Sequence, residues 1–308
     1  MRLVSGVARW AFHGERALPA LAVAAAGLGL ALPGVGRSLD GHAGISWVLA
    51  VLVVCTAATL PAGALAVVRE RFRRLVVVSA AGAVLLPIMA ALLGRLIDDD
   101  TLRHGLYALG VAPAEVATVG LAGLAGASAA LTAGVLVGSV VLSVVLAGPV
   151  LHLLGGGALN TVGLLAQLVV VLLLPLAVGI VVRRGVGCCV EAPARVGATV
   201  ALVVLIWLVA SQAQISARYG AVALAMTGFV VASTVLGIVL GRGVPGRQRW
   251  SVILPVAMRD FAVAAGIASA AYGPAAAAPL GLYGLVVIIG GALLASVLSR
   301  RVPTEANG

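Results

Sequence analysis

The sequence predicts an all-α polytopic membrane protein: ten transmembrane helices in two inverted five-helix repeats, with broken, crossing helices 4 and 9. Three observations carry this. The 308 residues are 62% hydrophobic and 10% charged, with a mean hydropathy of +1.19, whereas soluble domains are roughly 45 to 50% apolar and about 25% charged. The apolar residues fall into ten runs, each close to the ~20 residues a helix needs to cross about 30 Å of hydrocarbon. Two of those runs carry charges in their interior, each set close to a proline.

In order, the spans lie near residues 17–36, 44–66, 75–97, 103–124, 128–154, 158–182, 195–216, 219–241, 249–272 and 277–299. Span 1 follows a MRLVSGVARW start that resembles a signal peptide, but nine further apolar runs follow and it reads as a span. Gly134 and Gly138 in span 5, and Gly237 and Gly241 in span 8, suit close helix contact. Trp10, Trp47, Tyr219 and Trp250 stand near span ends, where amphipathic rings anchor to the interface. The first five spans fill residues 1–155 and the second five fill 156–308. Because five is odd, the second set enters the membrane inverted relative to the first, a common transporter architecture.

Arginines set the orientation. With the N-terminus in the cytoplasm, fifteen arginines fall between spans on the inside and four (Arg37, Arg95, Arg103, Arg218) on the outside. The positive-inside rule therefore puts both termini in the cytoplasm. Asp98, Asp99 and Asp100 then lie outside, where acids cost little. A basic chain suggests a nucleic-acid partner, but these arginines are distributed between spans and form no single soluble basic face.

Other classes are excluded by what is missing. All twenty basic residues are arginine, so there is no P-loop lysine for a nucleotide and no lysine for a Schiff base. His13, His42, His104 and His152 are scattered near span ends, with no HExxH and no GxSxG motif. Cys55, Cys188 and Cys189 offer neither disulfide nor zinc spacing. No enzyme activity and no cofactor are expected. Secondary transport is the leading class, ahead of a channel or passive facilitator and of a scaffold.

Spans 4 and 9 echo each other. The fourth reads GVAPAEVATVGLAGLAGASAAL and the ninth VILPVAMRDFAVAAGIASAAYG, each a proline, a polar patch and then a Gly/Ala-rich run. Pro113 and Pro255 occupy the same place in the two halves and are expected to break the helices where they cross, because proline removes a helical hydrogen bond and clashes with the preceding turn. Glu115, Arg259 and Asp260 each lie about 15 to 18 Å from the nearer polar end at ~1.5 Å per residue, close to mid-membrane. An unpaired charge there costs roughly 2.5 to 3.5 kcal/mol on insertion scales. Adjacent helical side chains point about 100° apart, so Arg259 is expected to pair with Glu115 across the crossing. Asp260 is left to accept from backbone amides, water or a cation. The bland alternative is an ion pair that merely locks spans 4 and 9 together.

These features, with CTAATLP ending span 2, LLPIMAALL in span 3, VVVLLLPLAVGIVVRR in span 6 and LAGLAGASAALT after the span 4 proline, resemble a bacterial member of the bile acid:sodium symporter family, within the wider bile, arsenite and riboflavin transporter group. The resemblance runs the whole length. It implies a panel domain (spans 1, 2, 6 and 7) rocking against a core domain (spans 3 to 5 and 8 to 10), with substrate between them beside the crossed helices. It also implies a multi-pass protein of the bacterial inner membrane whose partners are a small organic anion and membrane lipids. It leaves the oligomeric state open.

The family's sodium ligands are mostly replaced. At the corresponding positions stand Thr118 and Val119 in span 4, Thr132 and Leu136 in span 5, Pro255, Arg259 and Asp260 in span 9, and Gly82 in span 3. What remains of a sodium site is Thr118, Thr132 and Asp260, and a hard cation needs more oxygen than that. Arg259 then stands as a fixed cation where sodium would bind, charged at every accessible pH. The coupling ion, where the carrier is coupled, is sodium or a proton taken up by Glu115 or Asp260. Arg259 and the half-helix N-termini favour an organic anion as substrate. Ala112 replaces the cysteine of arsenite carriers, and Cys55 reads as a packing residue.

Overall fold

The computed structural model describes residues 20–40, 44–59, 70–155, 161–212, 219–287 and 290, apart from 22 and 285. Trp10, His13 and His42 lie outside the described residues, as do most of the tenth span and both termini. Of the described residues 89% are helical and none forms a strand.

After a helical stretch at 23–31 come α1 (Pro33–Asp40), α2 (Gly44–Ala58), α3 (Phe72–Gly94), α4 (Asp100–Val111), α5 (Ala117–Leu124) and α6 (Ala129–Gly155). Then follow α7 (Thr161–Val186), α8 (Glu191–Gln212), α9 (Tyr219–Gly241), α10 (Trp250–Ala257) and α11 (Phe261–Tyr272). Among the described residues, five helices are long and apolar enough to cross a bilayer by length and composition: α3, α6, α7, α8 and α9. Much of their apolar surface faces outward. On α3, for example, Val77, Val84, Ile88 and Leu92 form an exposed stripe at helical spacing while Leu75, Val78, Leu86 and Ala90 are buried. In water such a stripe would be destabilising; against lipid tails it is matched.

Two groups of helices pack mainly within themselves. In one, α2 lies against α7 and α8, and α8 also covers α1. In the other, α3 packs on α4, α6 and α9, while α10 packs on α9 and α6. The groups meet where α6 touches α7 and where α11 touches α2 and α8. Within α7, residues Val169–Leu173 form a wide π turn just before Pro175. Proline lacks the N–H that would close its turn, and its ring crowds the carbonyl four residues back, so the helix widens there.

Salt bridges gather at helix ends. Glu191 binds both Arg183 (3.0 Å) and Arg195 (2.7 Å), and Arg103 pairs with Asp100 one turn earlier. Asp99 caps α4 by accepting from the amides of Thr101 and Leu102. Trp47 is exposed, as expected of an anchor, and half-buried Cys55 packs beside Gly197.

At Gly237 on α9, a Cβ would come within 2.9 Å of the Ile253 carbonyl oxygen, which belongs to the backbone and cannot move aside. Gly237→Leu should therefore destabilise the protein by about 1 to 3 kcal/mol, read as a lowered thermal midpoint in detergent. Gly220→Leu, where nothing lies within 4 Å of a Cβ, should leave the midpoint close to that of the unaltered chain.

Candidate functional site

The segments expected to be broken are broken. Between α4 and α5 the backbone turns extended at Ala112 (φ −62°, ψ 153°), and between α10 and α11 it does so at Met258 (φ −109°, ψ 116°). The two gaps lie side by side: Ala114 and Arg259 form an antiparallel bridge, with Glu115 N donating to Met258 O and Asp260 N donating to Pro113 O, both at 2.9 Å. The first half of each broken segment then lies against the second half of the other, α4 with α11 and α5 with α10. At one end, the His104 ring stacks on Tyr272 at 4.0 Å and 5°.

The two prolines are not equivalent. Pro113 lies in the gap, but Pro255 sits inside α10, two residues before its last, and the break comes at Met258 to Asp260. A proline ring clashes with residues before it, and from Pro255 those are already in the helix's first turn, so α10 continues past it.

Every break in a buried helix frees backbone groups that must find partners. Here hydroxyl side chains supply them. The outward-facing Ala114 N–H donates to Ser139 Oγ (3.0 Å), and the Arg259 N–H donates to Tyr283 Oη (3.1 Å). Ser143 Oγ donates to Val111 O at 2.6 Å and Ser233 Oγ to Ala257 O at 3.0 Å. Sequence reasoning missed all four residues; their signal was an isolated hydroxyl in an otherwise apolar run.

The bridge also decides where the charges point. In extended backbone successive side chains alternate faces, and residues paired across an antiparallel bridge share one. Ala114 and Arg259 therefore share one face, and Glu115 and Asp260 share the other. The cavities agree. Arg259, 4% exposed, lines a cavity with Ser79, Ser139 and Ser143 between α3 and α6. Asp260, 6% exposed, lines a different crevice with Thr56, Leu172, Leu176 and Leu136, where α2 and α7 face the crossing and α6. The expected Glu115–Arg259 pair is accordingly not formed. Glu115 Oε2 and Arg259 Nε are both enclosed and, among the described residues, have no hydrogen-bond partner.

Asp260 accepts through Oδ1 from the amides of Ala262 and Val263, each at 3.0 Å, and so caps α11. The positive end of α11, expected to face a substrate, is thus met by the chain's own Asp260 carboxylate, whereas α5 has no side-chain cap. Thr118 is fully buried and donates to Glu115 O; Thr132, also fully buried, donates to the carbonyls of Ser128 (3.1 Å) and Ser251 (3.4 Å). Both hydroxyl protons are spent on backbone. Among the described residues no group of three or more His, Cys, Asp or Glu side chains is placed to hold a metal.

Asparagine also caps helices well, whereas alanine cannot accept the two amides. Asp260→Asn should keep its thermal midpoint close to that of the native chain, while Asp260→Ala should lose about 0.5 to 2 kcal/mol. Ser139→Ala, which strands the buried Ala114 N–H, should cost about 1 to 3 kcal/mol by the same melts in detergent.

No family model matches this chain, and no curated protein matches it.

Proposed function

We propose that this chain is a secondary active transporter of the bile acid:sodium symporter type, moving a small organic solute by alternating access with its substrate and coupling site at the crossing of the fourth and ninth spans. One observation carries the reading: two interrupted apolar segments, cross-bridged and bearing buried charges, border a crevice between two separately packed helix groups. Interrupted helices that offer backbone and charge at the interface of two bundles are the sites around which such carriers rock. In this reading α1, α2, α7 and α8 belong to the panel and α3 to α6 with α9 to α11 to the core, the ten spans form two inverted repeats, and both termini face the bacterial cytoplasm.

Ser139 in span 5 and Tyr283 in span 10, fifth in their respective halves, hold the outward amides of the two gaps, which supports the repeat. The resemblance brings organic anions as the substrate class; in such a cycle Arg259 has to turn its charge towards the crevice. Sodium is a poor coupling ion here, because Val119, Leu136 and Pro255 stand where the family's oxygen donors would be. A proton carried by Glu115 or Asp260 fits a site whose carboxylates face one way and whose guanidinium faces the other.

Purified protein in proteoliposomes should show counterflow of a labelled substrate found by an uptake screen run with and without sodium and pH gradients. Accumulation should respond to the pH gradient and not to sodium. Where Glu115 carries the proton, Glu115→Gln should abolish the pH response while leaving counterflow intact; an unchanged response assigns the proton to Asp260. A pore would give flux without counterflow, and that result overturns the carrier.

A further inference from the structure

The crevice between the two helix groups holds two kinds of lining. Most of it is apolar: Leu136, Val140, Leu172 and Leu176 from α6 and α7, with Val53 and Ala57 from α2. Its two polar side chains are Asp260 and Thr56. Thr56 already gives its one proton to the carbonyls of Leu52 (2.8 Å) and Val53 (3.0 Å), so towards the crevice it has only lone pairs to offer. Asp260 uses Oδ1 for the α11 cap, and among the described residues Oδ2 makes no hydrogen bond and is not enclosed. Among the described residues, the side chains of the crevice thus offer acceptors and no donor.

Charge says the same. Glu115 and Asp260 share one face of the bridge and Arg259 occupies the other, beside Ser79 and Ser143. The crevice lining carries the Asp260 carboxyl and, among the described residues, no cationic side chain, so any charge on that side is negative. In a low-dielectric site such a charge favours a partner of opposite sign. An inorganic cation needs about six oxygen ligands, and the side chains here bring two.

We propose that the crevice binds an organic monocation, a protonated amine on a compact apolar body, with the ammonium on Asp260 Oδ2 and Thr56 Oγ1 and the body among Leu136, Leu172 and Leu176. This rests on the carrier reading and changes the sign of its substrate. The crevice is narrow, so the occupant enters as the two helix groups part. The π turn beside Pro175 carries Leu172 into this wall, and a wide turn lets the wall move without a full helix rearrangement.

Two molecules of one shape and opposite charge test it: 1-aminoadamantane and adamantane-1-carboxylate, titrated against the full chain in detergent with thermal unfolding and equilibrium binding as readouts. The amine should raise the thermal midpoint with concentration and the carboxylate should not. Asp260→Asn keeps the cap and should weaken amine binding on the order of tenfold or more, the size of effect expected when an ion pair in a partly dry site is lost. Leu172→Trp, which fills the crevice without touching the cap, should abolish the shift and serves should the first variant not fold. A shift with the carboxylate alone, a shift with neither, or amine binding untouched by both variants overturns the proposal. Amine binding without amine counterflow in proteoliposomes overturns the carrier instead and leaves the site standing; counterflow of the carboxylate does the reverse.

Discussion

An interrupted helix inside a bilayer must find partners for every backbone group it frees, and that constraint organises this protein. Water is not at hand, so each gap borrows from the other: two inter-gap hydrogen bonds join Pro113 to Asp260 and Glu115 to Met258. The groups that point away are taken by Ser139 and Tyr283. The remaining geometry follows. Extended chains can meet this closely only where side chains are small, and Ala112 and Ala114 are fully buried at the meeting point. The half-helices that leave the bridge must diverge, and each runs alongside the opposite half of its partner.

The same bridge sorts charge by face. A helix passing through residues 258 to 261 would fan Arg259 and Asp260 about 100° apart on one cylinder, and an ion pair across to another helix would be easy to form. An extended backbone sends them to opposite sides. The guanidinium therefore goes to the cavity between α3 and α6 and the carboxylates go to the other side, where Asp260 lines the crevice between the helix groups. The Asp260 carboxylate also meets the amides of the α11 N-terminus, so a peptide dipole takes the role an ion pair would otherwise have. Asp260 has its answer in the amides of α11, and the centre stays chemically available because the other answers are incomplete: among the described residues Glu115 Oε2 and Arg259 Nε have no partner.

Around this centre the helices divide their labour. Long apolar helices such as α3 and α9 turn valine and leucine stripes outward, and glycines let them approach their neighbours closely, as at Gly237 against Ile253. Short ones, α4, α10 and α11, are largely enclosed by them, with Leu106, Ala108, Leu109, Ala264, Ala265 and Ile267 among their buried residues, while α5 leaves Ala117, Gly120 and Gly123 exposed. Most of the interrupted backbone is thus shielded by unbroken helices.

What the sequence alone determined follows from composition and period. Apolar runs of bilayer length dictate helices, since no other open structure satisfies its backbone in lipid, and charges beside Pro113 and Pro255 marked where two helices would fail. The interruptions, the burial of Arg259 and Asp260, and backbone amides as one of the partners open to Asp260 were legible in this way. Tertiary structure alone decided the rest. Whether Pro255 ends a helix depends on the turns around it, and here the helix outlasts it. The partner of Arg259 depends on which backbone conformation fills the gap, because period two and period 3.6 send the same side chain to different neighbours. Ser139, Tyr283, Thr56 and Leu172 gained their roles only when distant segments met, since a lone hydroxyl or leucine in an apolar run has no distinguishing context until the fold supplies one.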